Sequence, residues 1–142
     1  MSGPRAFDDV EIGLELPELS RLVTREDVAE YADASGDLNP LHRDEAVARA
    51  AGFDGIIAHG MFTMGTLATC VTAWTGDVGA LVRMKAAFRS TVSIGDTIVA
   101  GGRVRSLDPD ARTATLEVWV RLERDGVVEE PIRRSEALVR LS

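Results

Sequence analysis

Apolar positions change their period near the middle of the chain. Before Gly79 they recur every three or four residues; after it they alternate with polar ones. Val28, Tyr31 and Ala32 fall at i, i+3 and i+4, which predicts a short helix from Arg25 to about Ala34. Thr24-Arg-Glu-Asp27 has the form of its capping box, a threonine cap with an acid three residues later. Ser35-Gly36 should end that helix. Pro40 disfavours helix at Asn39, so Asp37 to His42 is read as a turn or loop. A second short helix is expected from about Asp44 to Ala51, acidic at its start and closed by Gly52. Phe53 to Ala58 is read as a loop with a short apolar run. Gly60 to about Trp74 is apolar on nearly all sides, so a helix there should lie in the core, stopped by Thr75-Gly76-Asp77.

Strand patterns rich in β-branched residues follow in Ala80 to Val92, Thr97 to Ser106, Ala111 to Leu122 and Val127 to Leu141. Leu16 to Val23 is a candidate strand in the first half. The turns between the later strands are Ile94-Gly-Asp96, Leu107-Asp-Pro-Asp110 and Arg124-Asp-Gly126, the last a strong hairpin signal. Helices followed by an antiparallel meander make an α+β fold. One long apolar helix against one antiparallel sheet accounts for the core. The Gly101-Gly102 pair, inside a strand pattern, is expected to mark a bulge.

The length of 142 residues fits one compact domain spanning 1–142 and is too short for two of ordinary size. Lys+Arg number 16 and Asp+Glu 23, a net charge of −7. That sign argues against nucleic acid and against an anionic membrane surface as partners. The single cysteine, Cys70, precludes an intrachain disulfide and suggests a reducing, cytoplasmic setting. Met1 to Phe7 lacks an apolar core of signal-peptide length, and Ile56 to Trp74 is short and polar for a membrane span.

Only two histidines exist, His42 and His59, so histidine-dependent chemistry must use one or both. Asp37 and His42 are five residues apart, which on a continuous helix would set them about 140° apart. The break at Pro40 removes that objection and lets a tight turn bring carboxylate and imidazole to one pocket, where histidine serves as acid or base near neutral pH. On spacing alone the plainer reading is that Asp37 and Asn39 cap a turn and His42 lies on the surface. Gly60 should open the apolar helix, where free N–H groups and the helix dipole can hold a developing oxyanion. The plainer reading there is packing, with His59 a hydrogen-bonded core residue. Asp37, His42, Asp44 and His59 are suitable metal donors, but no helical His pair or Cys cluster of zinc-site spacing accompanies them, so no metal is expected. Cys70 reads as a small core residue, and Trp74 and Trp119 as packing residues. Arg103, Arg105, Arg121 and Arg124 alternate with apolar residues, the mark of a solvated sheet face; the alternative is contact with an acidic carrier protein or a nucleotide phosphate.

The combined motif says more than its parts. Tyr31 to Asp44, with Gly36-Asp-Leu-Asn-Pro-Leu-His42 at its centre, and His59-Gly-Met61 downstream resemble the MaoC-like (R)-specific enoyl-CoA hydratase/dehydratase family. Ala87-Phe-Arg-Ser-Thr-Val-Ser-Ile-Gly-Asp96 is similar to that family's strand and Gly-Asp turn, so the resemblance runs from about Phe7 to Leu141. Within the family, the length and Ala73-Trp-Thr-Gly-Asp-Val-Gly79 look most like the catalytic subunit of heterodimeric (3R)-hydroxyacyl-carrier-protein dehydratases.

The resemblance implies a hot-dog fold, a long central helix wrapped by an antiparallel sheet. It also implies pairing with a second hot-dog subunit as a homodimer or heterodimer, no cofactor, and an acyl-CoA or acyl-carrier-protein thioester as substrate. By motif position Asp37 and His42 match the catalytic pair, and Gly60 matches the residue whose N–H binds the thioester oxygen. Asn39 and His59 match supporting positions. A serine found further along the central helix in some members corresponds to Ala68, which has no hydroxyl. The implied reaction is reversible hydration of a trans-2-enoyl thioester to the (3R)-hydroxyacyl thioester. A thioesterase and a non-catalytic acyl-binding or partner subunit are the alternatives; partner subunits tend to lack the Asp/His pair that is present here.

Overall fold

The computed structural model describes residues 4–142. The chain runs through a 3-10 turn (Phe7–Asp9), β1 (Leu19–Leu22), α1 (Arg25–Ser35), a second 3-10 turn (Pro40–His42), α2 (Glu45–Ala50), α3 (Gly60–Thr75), a third 3-10 turn (Val78–Ala80), β2 (Leu81–Lys85), β3 (Thr97–Asp108), β4 (Thr113–Arg124) and β5 (Val127–Arg140). The five strands form one antiparallel sheet in the order β1-β3-β4-β5-β2, with α3 packed on it. This is the α+β arrangement the hydrophobic pattern predicts.

Local chemistry explains the boundaries. The Thr24/Asp27 capping box is formed in both directions, and Gly36 at φ 77° ends α1 in the left-handed conformation that glycine adopts at low cost. Asp125 and Gly126, both at positive φ, close the β4–β5 hairpin. Ile98, Val104, Leu116, Val118, Val120, Ile132 and Val139 are buried on one sheet face, while Arg103, Arg105, Glu117 and Arg121 occupy the alternate positions. Each large aliphatic side chain so buried contributes about 1.5–3 kcal/mol.

Three expectations are corrected. First, α3 is not enclosed on all sides. Phe62, Thr63, Thr66, Leu67, Cys70, Val71, Trp74 and Thr75 are buried, but Met61, Gly65, Thr69 and Ala73 form an exposed stripe four residues apart. The sheet covers one face of a helix whose other face carries Met61 and then the small residues Gly65, Thr69 and Ala73. Second, Gly101 and Gly102 are not a bulge. They pair in unbroken register with Trp119 and Val118, and the irregularity falls between Val104 and Ser106. A Cβ on Gly101 would sit 2.8 Å from Trp119 Nε1, and one on Gly102 would sit 2.9 Å from the Glu117 carbonyl oxygen. Close approach, not a bulge, calls for glycine here. Third, the strand expected to run to Val92 ends at Lys85. The Ala87 N–H donates to Ser135 Oγ (2.8 Å), which interrupts the ladder, and the segment meets β5 again only at the isolated Phe88–Ile132 bridge, where the Arg89 N–H donates to the Pro131 carbonyl (2.8 Å).

Candidate active site

The turn after α1 is built from side-chain-to-backbone bonds. Asp37 Oδ1 accepts the Asn39 N–H (3.2 Å), and Asn39 Oδ1 accepts the Leu41 N–H (3.0 Å). These are consecutive Asx turns, and Pro40 pre-sets the backbone of the 3-10 turn that follows. Asn39 therefore shapes the loop. His42 ends the turn, with Nδ1 2.7 Å from the Ile57 carbonyl oxygen. A carbonyl only accepts, so Nδ1 carries the hydrogen and Nε2 is left to take up or release a proton.

His59 stands at the N-cap of α3 but makes no capping bond with its side chain. Its Nε2 lies 3.1 Å from the backbone carbonyl of Asp37, and its ring stacks on His42 with centroids 3.8 Å apart and planes at 27°. Asp37, His42 and His59 each present a carboxylate oxygen or ring nitrogen within 4.8 Å of the others. Asp37 is exposed, His42 half-buried and His59 2% exposed. Four residues of loop and a proline turn thus bring together the pair that sequence spacing alone leaves apart. The separation suits one water bridging carboxylate and imidazole.

A cavity of about 190 Å³ adjoins this cluster, lined by His42, Ile57, Ala58, Gly60, Thr63 and Phe88, with Ser90, Thr91, Val92 and Pro131 completing it. Gly60 is the first residue of α3, where helix N–H groups lack intrahelical partners and the dipole favours negative charge. A Cβ on Gly60 would reach within 3.3 Å of the Phe88 ring. A more open cavity of about 640 Å³, lined by Arg89, Val128, Glu129, Glu130 and Arg133, shares Ser90 with the first. The Ser90 hydroxyl oxygen is buried without a partner.

Sequence reasoning missed Thr63, Phe88 and Ser90. Thr63 looks like one of several threonines on an apolar helix, and Phe88 and Ser90 reach the cavity from a segment where the regular pairing of β2 has ended and a single bridge to β5 remains. Ala68 does not line the cavity. Asp44 stands apart as the N-cap of α2, accepting from Ala46 and Val47 N–H. The three-residue cluster is poorly shaped for a metal. A bound ion must lie near the plane of each imidazole, and two nearly parallel rings stacked 3.8 Å apart do not share such a point. Cys70 is 2% exposed within the core, and burial pushes its thiol up, away from the thiolate a nucleophile needs. The alternating arginines are already paired: Arg103 with Glu117, Arg105 with Glu136, Arg121 with Glu18, and Arg124 with Asp96 and Glu129. Arg103 and Arg105 are exposed on a solvated face, whereas Arg121 and Arg124 are half-buried, Arg124 against an Asp96 side chain only 11% exposed.

A family model described as a MaoC like domain matches residues 12–123, which include the turn, the histidine cluster and α3. The chain belongs to the MaoC-like family. A 3-hydroxybutyryl-CoA dehydratase from Methylorubrum extorquens is 32% identical over 136 residues, covering 95% of this chain and 83% of the relative. An (R)-specific enoyl-CoA hydratase from Rhodospirillum rubrum is 30% identical over 134 residues, covering 89% and 92%. Among solved structures, an (R)-hydratase from A. caviae superposes with a TM-score of 0.83 at 28% identity, covering 94% of this chain and 98% of that one. The MaoC-like fold is thus the hot-dog arrangement of long helix and curled sheet. No helix among the described residues is long and apolar enough to cross a membrane.

Proposed function

We propose that this MaoC-like chain reversibly adds water to trans-2-enoyl thioesters, giving (3R)-hydroxyacyl thioesters. The observation that carries the reading is the meeting of Asp37 and His42 beside a cavity that the Gly60 end of α3 also lines. A water held between the Asp37 carboxylate and His42 Nε2 gives its oxygen to C3 of the enoyl group and loses one proton to the pair. The pair delivers a proton to C2, so protons balance and no redox cofactor is needed. The Gly60 N–H donates to the thioester oxygen as charge builds there. In reverse, the same groups take the C2 proton and protonate the departing hydroxyl. The substrate's carrier is coenzyme A or an acyl-carrier protein.

Pairing with a second hot-dog subunit belongs to the same reading. The edge strand β2 and its flanks leave Val78, Val82 and Phe88 exposed at 81%, 48% and 48%, apolar surface that a second sheet would cover.

The test is hydration of crotonyl-CoA and longer enoyl-CoA and enoyl-carrier thioesters, followed by loss of the enoyl-thioester absorbance. Asp37→Asn and His42→Ala are expected to lower turnover by about 10²- to 10⁴-fold each. Wild-type turnover in both variants would refute the roles given to the pair. Release of free thiol without hydration would make the chain a thioesterase instead.

A further inference from the structure

We propose that His59 is a positioning residue for this reaction, one imidazole that holds both members of the Asp37–His42 pair in place. The proposal rests on the hydratase reading and adds to it a residue that does not itself touch the reacting atoms.

His59 is only 2% exposed, so every polar atom of its ring must be accounted for. Nε2 lies 3.1 Å from the Asp37 carbonyl oxygen, which can only accept, so Nε2 carries a hydrogen. Nδ1 is buried and has no partner. A bare lone pair there costs less than a buried N–H with no acceptor, and far less than a buried charge stacked on another imidazole. The ring hydrogen is therefore carried on Nε2, facing the Asp37 carbonyl. A general-purpose N-cap would be served better by serine, threonine or aspartate, and this side chain caps nothing.

What the ring does instead is join three elements. Its edge fixes the backbone carbonyl of Asp37, the residue that carries the exposed carboxylate. One face lies against His42, whose own edge is fixed by the Ile57 carbonyl. Tyr31 of α1 packs on His59 at 4.8 Å and 59° and on Phe62 at 5.9 Å. The backbone of Asp37 and the imidazole of His42 are thereby set against the same ring, which reinforces the separation that the exposed turn between them establishes. Loss of such positioning lowers the rate of the chemical step and leaves substrate binding largely unchanged.

Two substitutions divide the two contacts. His59→Phe keeps an aromatic face for His42 and Tyr31 and removes the donor to Asp37. His59→Gln keeps a donor and removes the face. With enoyl thioester as substrate, each is expected to lower kcat by about 10- to 100-fold with KM little changed. The His42 Nδ1–H proton resonance is expected to shift or broaden most in His59→Gln. Nitrogen NMR on the wild-type chain, which requires neither a folded variant nor turnover, should find His59 protonated at Nε2 and bare at Nδ1. Wild-type kcat in both folded variants, a rise in KM alone, or a wild-type His59 protonated at Nδ1 would overturn the proposal. If the wild-type chain hydrates no enoyl thioester, the hydratase reading fails, while the two NMR measurements still decide whether His59 holds His42 and Asp37.

Discussion

The Asp37–His42 turn and the β3–β4–β5 sheet are held by different forces. Asp37, Leu38, Asn39 and Pro40 are exposed, Leu38 at 52%, and their fold comes from Asx turns, two histidine-to-carbonyl bonds and a proline. The sheet holds its shape through fully buried aliphatic side chains, with charged groups confined to the outer face. Each polar bond in the turn is worth about 1 kcal/mol net, whereas each large buried side chain is worth two or three times that. The contrast separates where stability is stored from where chemistry is positioned. A residue in the turn can be changed at small cost in stability and large cost in rate; for a sheet residue the reverse holds.

The largest effects are expected from His42→Ala and Leu116→Ala measured side by side. His42→Ala should lose about 10²- to 10⁴-fold in turnover while its thermal midpoint stays near that of wild type. Leu116, in β4, is 0% exposed, so Leu116→Ala should cost about 2–5 kcal/mol in chemical denaturation and leave kcat per folded molecule intact. If Leu116→Ala instead removed activity in protein shown to be folded, the sheet would be positioning the site as well as supporting it.

A smaller effect is expected at Gly101. A Cβ there meets Trp119 Nε1 at 2.8 Å, so Gly101→Ala should cost about 1–3 kcal/mol. Trp119→Phe removes the indole nitrogen, and the double variant should recover part of that loss. Strict additivity of the two changes would mean that contact with Trp119 is not why glycine occupies the position.

What could be read in the sequence follows the same division. The capping box, the Gly36 stop, the Asp-Gly hairpin and the bounds of α3 depend on neighbours within four or five residues, and all were legible. Spacing alone made the Asp37–Asn39 capped turn legible, and the Asp37–His42 pair was legible only through the family resemblance. Contacts across long stretches of chain were not legible. Ala87 N–H reaches Ser135 and Arg89 N–H reaches Pro131, which is how Phe88 and Ser90 come to line the cavity. The Gly101–Trp119 approach and the dual contact of His59 likewise depend on register and stacking between distant segments. Charge alternation marked the outer sheet face at Arg103 and Arg105 but not at Arg124, which is partly buried against Asp96, and the acid facing each arginine is set by strand pairing.

The smallest effect tests whether the polar half contributes stability that depends on pH. The Thr24 hydroxyl, then the Thr24 N–H and Arg21, hold the Asp27 carboxyl below the ordinary carboxylate range, against the opposing effect of burial. A carboxyl lowered on folding stabilises the fold above its unfolded value, about 3.9, and loses that contribution as pH falls through its folded value. Asp27→Asn keeps an oxygen that can accept the Thr24 N–H but removes the charge. Wild type should therefore be the more stable chain at pH 6, by no more than about 1 kcal/mol, the usual worth of such a cap. The gap should narrow on acidification to pH 3 and below. The exposed pairs Arg103–Glu117 and Arg105–Glu136 are spread over the sheet face with side chains 29–52% exposed, and each should add less. Glu117→Gln is the control, with a pH-dependent gap smaller than that of Asp27→Asn. Equal gaps would place the pH-sensitive stability in surface charge generally and leave the capping box no special part in it.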